Sequence, residues 1–208
     1  MHTAHTAHTA RTAARPIAAD ARELPTLAGE RVHLRWLAGR DVPALFSVFG
    51  DPIAMRYWST PALADERGAE VLLRDIHERF HARTTFQWGI ARRADDGVIG
   101  TVSLYQLDFA HRRSELGFAL DRAHWGQGLA TEAVRLAIAF AFGALDLGRL
   151  EADVDPRNLP SLRVLERLGF VREGYLRERY HVNGETQDSV LLGLLRREWD
   201  ATSGRGER

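Results

Sequence analysis

The residues best suited to chemistry form a loop with two glycines, Trp125-Gly126-Gln127-Gly128, which joins a predicted strand directly to a predicted helix. Backbone N–H groups at the start of a helix have no partner within the helix, and glycines let an anion approach them closely. The positive end of the helix dipole adds to this attraction. The loop therefore favours phosphate or pyrophosphate, and Thr131 in the first helical turn could add a hydroxyl donor.

The same loop also has a purely structural interpretation, because tight connections between a strand and a helix often contain two glycines. It does not match the dinucleotide-binding fingerprint, since Thr131 stands where a third glycine would fall. It does not match a P-loop either, because that motif requires a lysine. From these residues alone, phosphate binding and a structural turn both remain open.

A second pattern, His77-Glu78-Arg79-Phe80-His81, matches the H-E-x-x-H arrangement of zinc proteases on a predicted helix. A zinc site needs a third ligand, and the extended pattern would place glycine at position 84 and histidine at position 87. Thr84 and Gln87 stand there instead. Both histidines also border the apolar stripe of the helix. We therefore expect a chance match and no metal site, and we keep a zinc hydrolase as a rival hypothesis.

Composition removes several other chemistries. The chain has 208 residues, 28 basic and 28 acidic side chains and no cysteine, and every basic residue is an arginine. Without cysteine there is no disulfide, thiolate nucleophile or cysteine-based zinc site, and without lysine there is no Schiff base. The net charge of zero argues against binding nucleic acid mainly through phosphates. We therefore expect no nucleic-acid partner. No apolar run is long enough to span a membrane, so we expect no membrane partner either.

The first 29 residues differ from the rest of the chain. They contain the triplet His-Thr-Ala three times and no acidic residue before Asp20. Such a segment cannot bury an apolar core, so we expect a disordered tail of low complexity over residues 1–29. Its composition also resembles that of organelle transit peptides, although a cytoplasmic location is the default expectation. Residues 201–208 are expected to form a flexible C-terminal tail.

Strand and helix periodicities alternate along residues 30–200 and predict a single domain with the element order β-α-α-β-β-β-α-β-α-β-β. Two turn signals, Asp95-Asp96-Gly97 and Asn183-Gly184, predict hairpins. Together these features predict one sheet with helices packed on it. The predicted strands cover residues 30–36, 86–93, 98–107, 113–120, 150–154, 170–181 and 187–195, and the predicted helices cover residues 39–49, 63–81, 128–147 and 160–168.

The segment from Trp125 to Ala133 resembles motif A of the GNAT acetyltransferases, especially that of the branch containing the ribosomal-protein alanine N-acetyltransferases. The resemblance covers about residues 30–200, and the shared order of five segments carries more weight than any one of them. The other four are residues 114–120, similar to the fourth strand; 155–161, similar to an Asn-x-x-Ser segment; 168–170, similar to a helix-to-strand turn; and 180–184 with 198–199, similar to the closing hairpin.

This resemblance implies a mixed α+β GNAT fold, in which a mostly antiparallel sheet of about seven strands is flanked by about four helices. Acetyl-CoA, as co-substrate, would lie where the fourth and fifth strands splay apart. The strand edge would bind pantetheine, Asn158 would reach it from the other side or cap a helix, and the glycine loop would cradle the pyrophosphate. The implied cofactor-binding residues are Leu116, Gly117, Phe118, Gly126, Gln127, Gly128, Leu129, Ala130, Thr131 and Asn158.

The chain departs from the family pattern at two positions. Ala123 stands where relatives usually have a glutamine or arginine that contacts phosphate. Leu165 stands where many relatives have a tyrosine that acts as general acid near the thiol. Ser161, one helical turn earlier, then becomes the candidate donor to the departing thiolate, with an ordinary first-turn polar residue as the alternative.

Acetylation of an amine needs a group or a water that takes up the amine proton. Glu115, which would lie beside the thioester, is the first candidate for this base, and Asp153 is the second. A substrate that arrives already deprotonated would leave positioning as the main catalytic contribution. Tyr57, Trp58, Trp88 and Tyr105 could line an acceptor pocket or belong to the core.

The sequence thus predicts an N-acetyltransferase that moves an acetyl group directly from acetyl-CoA to a primary amine, without a covalent acyl-enzyme. The acceptor could be a protein N-terminus or a small-molecule amine. A monomer or a homodimer is expected. The alternative is a non-catalytic module that binds acyl-CoA.

Overall fold

The computed structural model describes residues 17, 18 and 20–203. Its centre is an eight-stranded sheet with the order β1-β2-β3-β4-β5-β6-β8-β7, in which only the β5–β6 pair is parallel. The strands are β1 (Leu27–Ala28), β2 (Val32–Arg35), β3 (Thr85–Arg92), β4 (Val98–Asp108), β5 (Arg113–Leu120), β6 (Arg149–Val154), β7 (Val171–Val182) and β8 (Glu185–Leu195). The helices are α1 (Val42–Phe49), α2 (Glu66–His81), α3 (Leu129–Gly143), α4 (Leu159–Arg167) and α5 (Arg196–Ser203).

The predicted mixed α+β fold is confirmed, and all eleven predicted elements are present. The structure adds strand β1 and helix α5, which the periodicity did not indicate. Strand β1 has only two residues, too few to show any alternation of polar and apolar side chains. Helix α5 has the largely polar sequence RREWDATS and therefore no apolar stripe. No helix in the described ranges is both long and apolar enough to cross a membrane.

Strands β5 and β6 pair over three residues and then separate. Arg113, Ser114 and Glu115 pair with Arg149, Leu150 and Glu151. Beyond these pairs β5 continues to Leu120 and β6 to Val154, but the two strands no longer pair with each other. The two strands are joined through α3, the crossover that a parallel pair requires. The splay expected between the fourth and fifth strands of the family therefore lies between β5 and β6.

Side chains along β5 alternate between two apolar clusters on opposite faces of the sheet. Leu116 and Leu120 belong to the cluster that contains α3, whereas Ala119 belongs to the cluster formed by α1 and α2. Successive side chains of a strand point to opposite faces, so Glu115 and Gly117 lie on the same face as Ala119. The face of β5 that carries Glu115, the candidate base, is therefore the one that faces α1, α2 and the segment between them.

The packed part of the chain begins before Glu30, where the predicted domain starts. The Leu24 side chain is 4% exposed and belongs to the cluster that contains α3. The carbonyl oxygen of Pro25 accepts a hydrogen bond of 2.9 Å from the indole Nε1 of the buried Trp88. The predicted N-terminal tail thus includes residues that complete the core. Helix α5 extends to Ser203, so the first three residues of the predicted C-terminal tail are helical. Residues 1–16, 19 and 204–208 lie outside the described residues.

We expect Leu24→Ala to lower the free energy of unfolding by about 2–5 kcal/mol, because it opens a cavity in the core. Glu23→Ala, at the exposed neighbouring position, is the matched control and should change the free energy of unfolding by less than about 0.5 kcal/mol. Denaturation by urea, followed by circular dichroism, measures both. Equal stability of the two variants would contradict the placement of this segment in the core.

Candidate active site

A cavity of about 760 Å³ opens where β5 and β6 separate. Its walls come from β4, β5, β6, β8, the start of α4 and the segment between α1 and α2. Among the catalytic and cofactor residues predicted from the sequence, those that line it are Glu115, Leu116, Gly117, Phe118, Asp153, Asn158 and Ser161. Of the four aromatic residues considered for an acceptor pocket, Tyr57, Trp58 and Tyr105 line it as well. The residues of the glycine loop and Thr131 lie outside this lining, so the structure separates the predicted cofactor residues into two groups.

A row of polar side chains crosses the sheet along one face of this cavity. Tyr105 on β4 is the antiparallel partner of Glu115, and Glu151 on β6 is the parallel partner of Glu115. Asp153 follows Glu151 by two residues and therefore lies on the same face. On β7, Tyr180 donates a hydrogen bond of 3.1 Å from its hydroxyl to Oδ2 of Asp153. Both candidate bases thus face the cavity, each beside a tyrosine.

The environment of Glu115 favours its protonated form. Burial raises the pKa of its carboxyl, and repulsion from Asp153 and Glu151 raises it further, while a hydrogen bond from Tyr105 opposes the shift. Burial and the charge of Glu115 in turn raise the pKa of the Tyr105 hydroxyl. Tyr105 therefore stays a neutral donor. A carboxylate with a raised pKa is a better proton acceptor than an ordinary surface glutamate.

Asp153 is held more firmly than Glu115. Besides the hydroxyl of Tyr180, Nε of Arg179 lies 3.5 Å from its Oδ2. Its side chain is only 10% exposed. Burial and the charge of Asp153 raise the pKa of Tyr180, which keeps this tyrosine a neutral donor as well. Both partners of Asp153 contact its Oδ2, whereas the donor to Glu115 is the neutral hydroxyl of Tyr105.

The start of α4 places Ser161 in the cavity wall. Oδ1 of Asn158 accepts a hydrogen bond of 3.3 Å from the backbone N–H of Ser161, which makes Asn158 the N-cap of the helix. Asn158 therefore has one of its two predicted roles, the helix cap, and it also lines the cavity. Its contact with pantetheine stays a prediction. Leu165, one turn later, is 1% exposed and presents only apolar surface to the cavity.

The glycine loop adopts a conformation that depends on its glycines. Gly126 and Gly128 have φ angles of +73° and +76°, in the left-handed region that residues with a Cβ rarely adopt. Gly128 is the N-cap of α3 and has no side chain that could cap the first N–H groups. These groups therefore have no side-chain cap, and the binding of an anion to them stays a prediction.

The structure brings Arg31 to this loop, a residue that the sequence did not single out. Its Nη1 donates a hydrogen bond of 2.8 Å to the carbonyl oxygen of Gln127, and its Nε lies 3.1 Å from Oε2 of Glu132. Its Nη2 lies 3.3 Å from the position that a Cβ on Gly128 would occupy. An arginine about one hundred residues earlier in the chain gives no local signal of this contact.

The structure also bears on Trp88 and on the H-E-x-x-H segment, for each of which the sequence left two interpretations open. Trp88, considered for the acceptor pocket, is fully buried in the core and packs against Phe140 with ring centroids 5.2 Å apart. In the H-E-x-x-H segment, Nε2 of His77 lies 3.0 Å from the carbonyl oxygen of Leu37, and its ring stacks on Trp36. Within the described ranges, no three potential metal ligands come together.

Comparison with known proteins matches this architecture to one family. The model of the acetyltransferase (GNAT) domain matches residues 31–171. Uncharacterized N-acetyltransferase p20 from Bacillus licheniformis is 34% identical over 176 residues, which cover 85% of this chain and 99% of that protein. Ribosomal-protein-S5-alanine acetyltransferase from Vibrio fischeri superimposes with a TM-score of 0.71 at 25% identity, covering 84% of this chain and 98% of that one.

A further solved structure is that of spermidine N-acetyltransferase from Vibrio cholerae in complex with CoA and spermine. It superimposes with a TM-score of 0.74 at 23% identity and covers 82% of this chain and 99% of that one. Relatives with different acceptors thus share this fold, and the similarity to the ribosomal-protein branch does not by itself select the acceptor. The family match and the parting of β5 from β6 lead to one conclusion: the chain belongs to the GNAT acetyltransferase family and is an acetyl-CoA-dependent N-acetyltransferase.

Proposed function

We propose that this protein transfers the acetyl group of acetyl-CoA directly to a primary amine, with Glu115 as the general base. The observation that carries the proposal is the position of Glu115 in the last paired row before β5 and β6 separate. There its carboxyl lines the cavity and its pKa is raised by burial. The amine nitrogen attacks the thioester carbon, the C–S bond breaks, and Glu115 takes the amine proton directly or through a water.

Ser161 is the group that we assign to the departing thiolate. Its hydroxyl lies in the first turn of α4 and in the cavity wall, and the cap formed by Asn158 fixes its backbone. It would donate a hydrogen bond to the sulfur as the C–S bond breaks. Leu165 has no proton to give at the position where many relatives have a tyrosine. No cysteine is present to form an acyl-enzyme, which agrees with direct transfer.

Acetyl-CoA fits two features on the α3 side of the opening. Beyond Glu115, the backbone of Leu116, Gly117 and Phe118 has no strand partner on the side of β6 and can pair with the pantetheine arm. The glycine loop then offers its N–H groups to the pyrophosphate. Arg31 supplies a guanidinium beside this loop, where Ala123 offers none.

The acceptor amine would be that of a protein N-terminus or of a small molecule. It would enter from the segment between α1 and α2, which contributes Tyr57 and Trp58 to the cavity wall. Two contacts join this segment to the opposite wall. Nε2 of Gln187 donates a hydrogen bond of 3.1 Å to the carbonyl oxygen of Arg56, and the guanidinium of Arg157 lies 5.5 Å from the ring centre of Tyr57.

We expect Glu115→Gln to bind acetyl-CoA normally but to lower kcat/KM for the amine by about 100-fold or more, because the base is lost. Folding raises the pKa of Glu115 above the ordinary glutamate value of 4.5. The ionised carboxylate is therefore less favourable in the folded protein than in the unfolded chain, and it lowers the free energy of unfolding as the pH rises above 4.5. The variant should therefore be at least as stable as the wild type at pH 7. Thiol release, calorimetry with acetyl-CoA and thermal denaturation measure the three effects.

Glu78→Gln is the matched control, since Glu78 is exposed on α2 and would be the general base of a zinc hydrolase. It should leave thiol release unchanged. Acetyl-CoA binding without thiol release by the wild type, across a panel of N-terminal peptides and small amines, would favour a non-catalytic acyl-CoA-binding module. Failure to bind acetyl-CoA at millimolar concentration would refute the proposed function altogether.

We expect Tyr105→Phe to move the acid limb of the pH dependence of kcat/KM to higher pH. This limb reports the pKa of the base in the free enzyme, and the lost hydrogen bond had favoured the ionised carboxylate of Glu115. Tyr175→Phe is the control, because Tyr175 donates to Asp188 instead. A limb that stays in place or moves to lower pH would contradict the assignment of Glu115 as base.

We expect Arg31→Gln to raise the Kd for acetyl-CoA about tenfold, as the loss of one charged contact would. The difference should shrink as salt is added, because salt screens the guanidinium. Arg172→Gln removes an arginine that pairs with Glu166 and serves as control. Calorimetry at two salt concentrations measures the effect. An unchanged Kd at low salt would show that Arg31 only braces the loop.

A further inference from the structure

Arg79 is the one basic side chain that lines the cavity, counting the residues that the structure describes. The other charged groups of the lining are all carboxyl groups, namely those of Glu115, Asp153, Asp155 and Asp188. No carboxylate within the described ranges forms an ion pair or a hydrogen bond with the Arg79 guanidinium. An arginine stays charged in a protein and offers five N–H donors. A free guanidinium in this wall therefore indicates a site for an anion.

Helix α2 presents Arg79 to the cavity. Leu72 and Arg79 both line the cavity and are about two helical turns apart, so they lie on one side of the helix. The neighbouring stripe of α2, which includes Leu73 and Ile76, is buried in the core. The carbonyl oxygen of Arg79 accepts hydrogen bonds of 3.0 and 3.3 Å from the N–H and the hydroxyl of Thr84. The last turn of α2 is therefore fixed beside the start of β3.

The sheet register relates this end of the cavity to Glu115. Thr85, the first residue of β3, pairs with Tyr105 on β4, and Tyr105 pairs with Glu115 on β5. The side chains of such a row share one face of the sheet. Two strand spacings, ~10 Å, separate the α-carbons of Thr85 and Glu115. Arg79 lies at the same end of the row as Thr85, and Glu115 lies at the other end.

Uncharged polar side chains cover the neighbouring part of this sheet face. Gln87 on β3 pairs with Ser103 on β4, and Ser103 pairs with Gly117 on β5. All three residues line the cavity. Gly117 leaves space at the β5 end, because a Cβ there would lie 3.4 Å from Oγ of Ser103 and 3.3 Å from Cε1 of Tyr105. A packing surface for α2 would need apolar side chains, whereas these groups suit a polar, uncharged part of a substrate.

The phosphates of acetyl-CoA do not account for a free guanidinium at Arg79. We assign acetyl-CoA to the gap between β5 and β6 and to the start of α3, whereas Arg79 lies beside β3, two strands away from β5 in the sheet order. The two helices also pack on opposite faces of the sheet. Helix α3 contributes Ala133 to one apolar cluster, and α2 contributes Ile76 to the other. The anion therefore belongs to the molecule that receives the acetyl group.

We propose that Arg79 is a specificity-determining residue, whose guanidinium binds an anionic group of the acceptor while the amine of the same molecule contacts Glu115. The preferred acceptor is then a small amine with a carboxylate at the far end of an uncharged chain. Six bonds of an extended chain span about 7 Å, the rise of two strand residues. With a hydrogen bond of about 2.9 Å at each end, such an acceptor covers the ~10 Å of the row. This inference rests on the proposed function and narrows its acceptor class.

The test compares 6-aminohexanoate with 6-aminohexanamide as acceptors at saturating acetyl-CoA, with thiol release as the readout. The two molecules have the same length, and only the first carries a carboxylate, which a guanidinium binds through two parallel hydrogen bonds. For the wild type, kcat/KM should be at least about tenfold higher with 6-aminohexanoate. The difference should shrink as salt is added, because salt screens the contact between carboxylate and guanidinium.

Arg79→Gln should raise the KM for 6-aminohexanoate about tenfold and leave kcat, the KM for acetyl-CoA and the kinetics with 6-aminohexanamide nearly unchanged. Arg79→Lys retains the charge without the planar fork and should recover part of the loss. Glycine holds its amine and carboxylate too close together to reach both Glu115 and Arg79, so its kinetics should not change. Arg74→Gln is the matched control, since Arg74 is exposed on α2 outside the cavity lining, and it should leave all of these values unchanged.

Calorimetry provides a readout that does not depend on turnover. 6-Aminohexanoate should bind to the complex of the wild type with CoA, and Arg79→Gln should raise its Kd about tenfold. Thermal denaturation should give the same Tm for both proteins, because the Arg79 guanidinium has no ion pair to lose within the described ranges. A lowered Tm together with an equal loss of activity toward both amines would assign Arg79 a structural role and overturn the inference.

The outcomes separate this inference from the proposed function. Equal kcat/KM for 6-aminohexanoate and 6-aminohexanamide in the wild type would overturn the inference and leave the N-acetyltransferase mechanism intact. An unchanged Kd for 6-aminohexanoate in Arg79→Gln, or a raised KM for acetyl-CoA instead, would overturn it as well. Turnover of N-terminal peptides but of neither hexyl amine would have the same meaning. Absence of thiol release with every amine would count against the proposed function and, with it, the inference.

Discussion

The separation of β5 from β6 is the constraint on which the rest of the structure depends. Their parallel pairing ends at Glu115 and Glu151, although both strands continue beyond this point. Backbone groups that a regular sheet would satisfy internally are thereby left for a substrate, and a cavity opens beside them. The same parting sets the position of Glu115, which lies at the last paired row and therefore beside any group bound in the opening.

Several carboxylates lie close together around this opening, and their neighbouring groups differ. Asp153 lies beside Arg179, and Asp155 lies beside Arg157. Glu115 accepts a hydrogen bond from the neutral hydroxyl of Tyr105, and burial and its acidic neighbours raise its pKa in spite of this donor and the nearby Arg113. Folding thus destabilises the ionised form of Glu115. Such an unequal distribution of partners is what distinguishes a proton acceptor from carboxylates that shape the wall.

A chain without lysine or cysteine can perform acetyl transfer because none of the steps that we propose requires either residue. Backbone N–H groups at the start of α3 suit the phosphates, a strand edge suits the pantetheine arm, and a carboxylate and a hydroxyl suit the proton movements. The basic residues are all arginines, and two of them make individual contacts near the site. Arg31 braces the glycine loop from the start of β2, and Arg157 joins the start of α4 to the segment that carries Tyr57. Binding of acetyl-CoA therefore does not require a net positive charge on the whole protein.

The sequence by itself determined the order of the elements, the glycine loop and Glu115 as a candidate base, because periodicity, turn residues and helix starts are local properties of the chain. Only the tertiary structure brought Arg31 to Gln127, Tyr105 to Glu115 and Arg79 into the cavity wall. These contacts join residues that are distant in sequence, and they depend on strand register. The burial that raises the pKa of Glu115 likewise exists only once the sheet has formed.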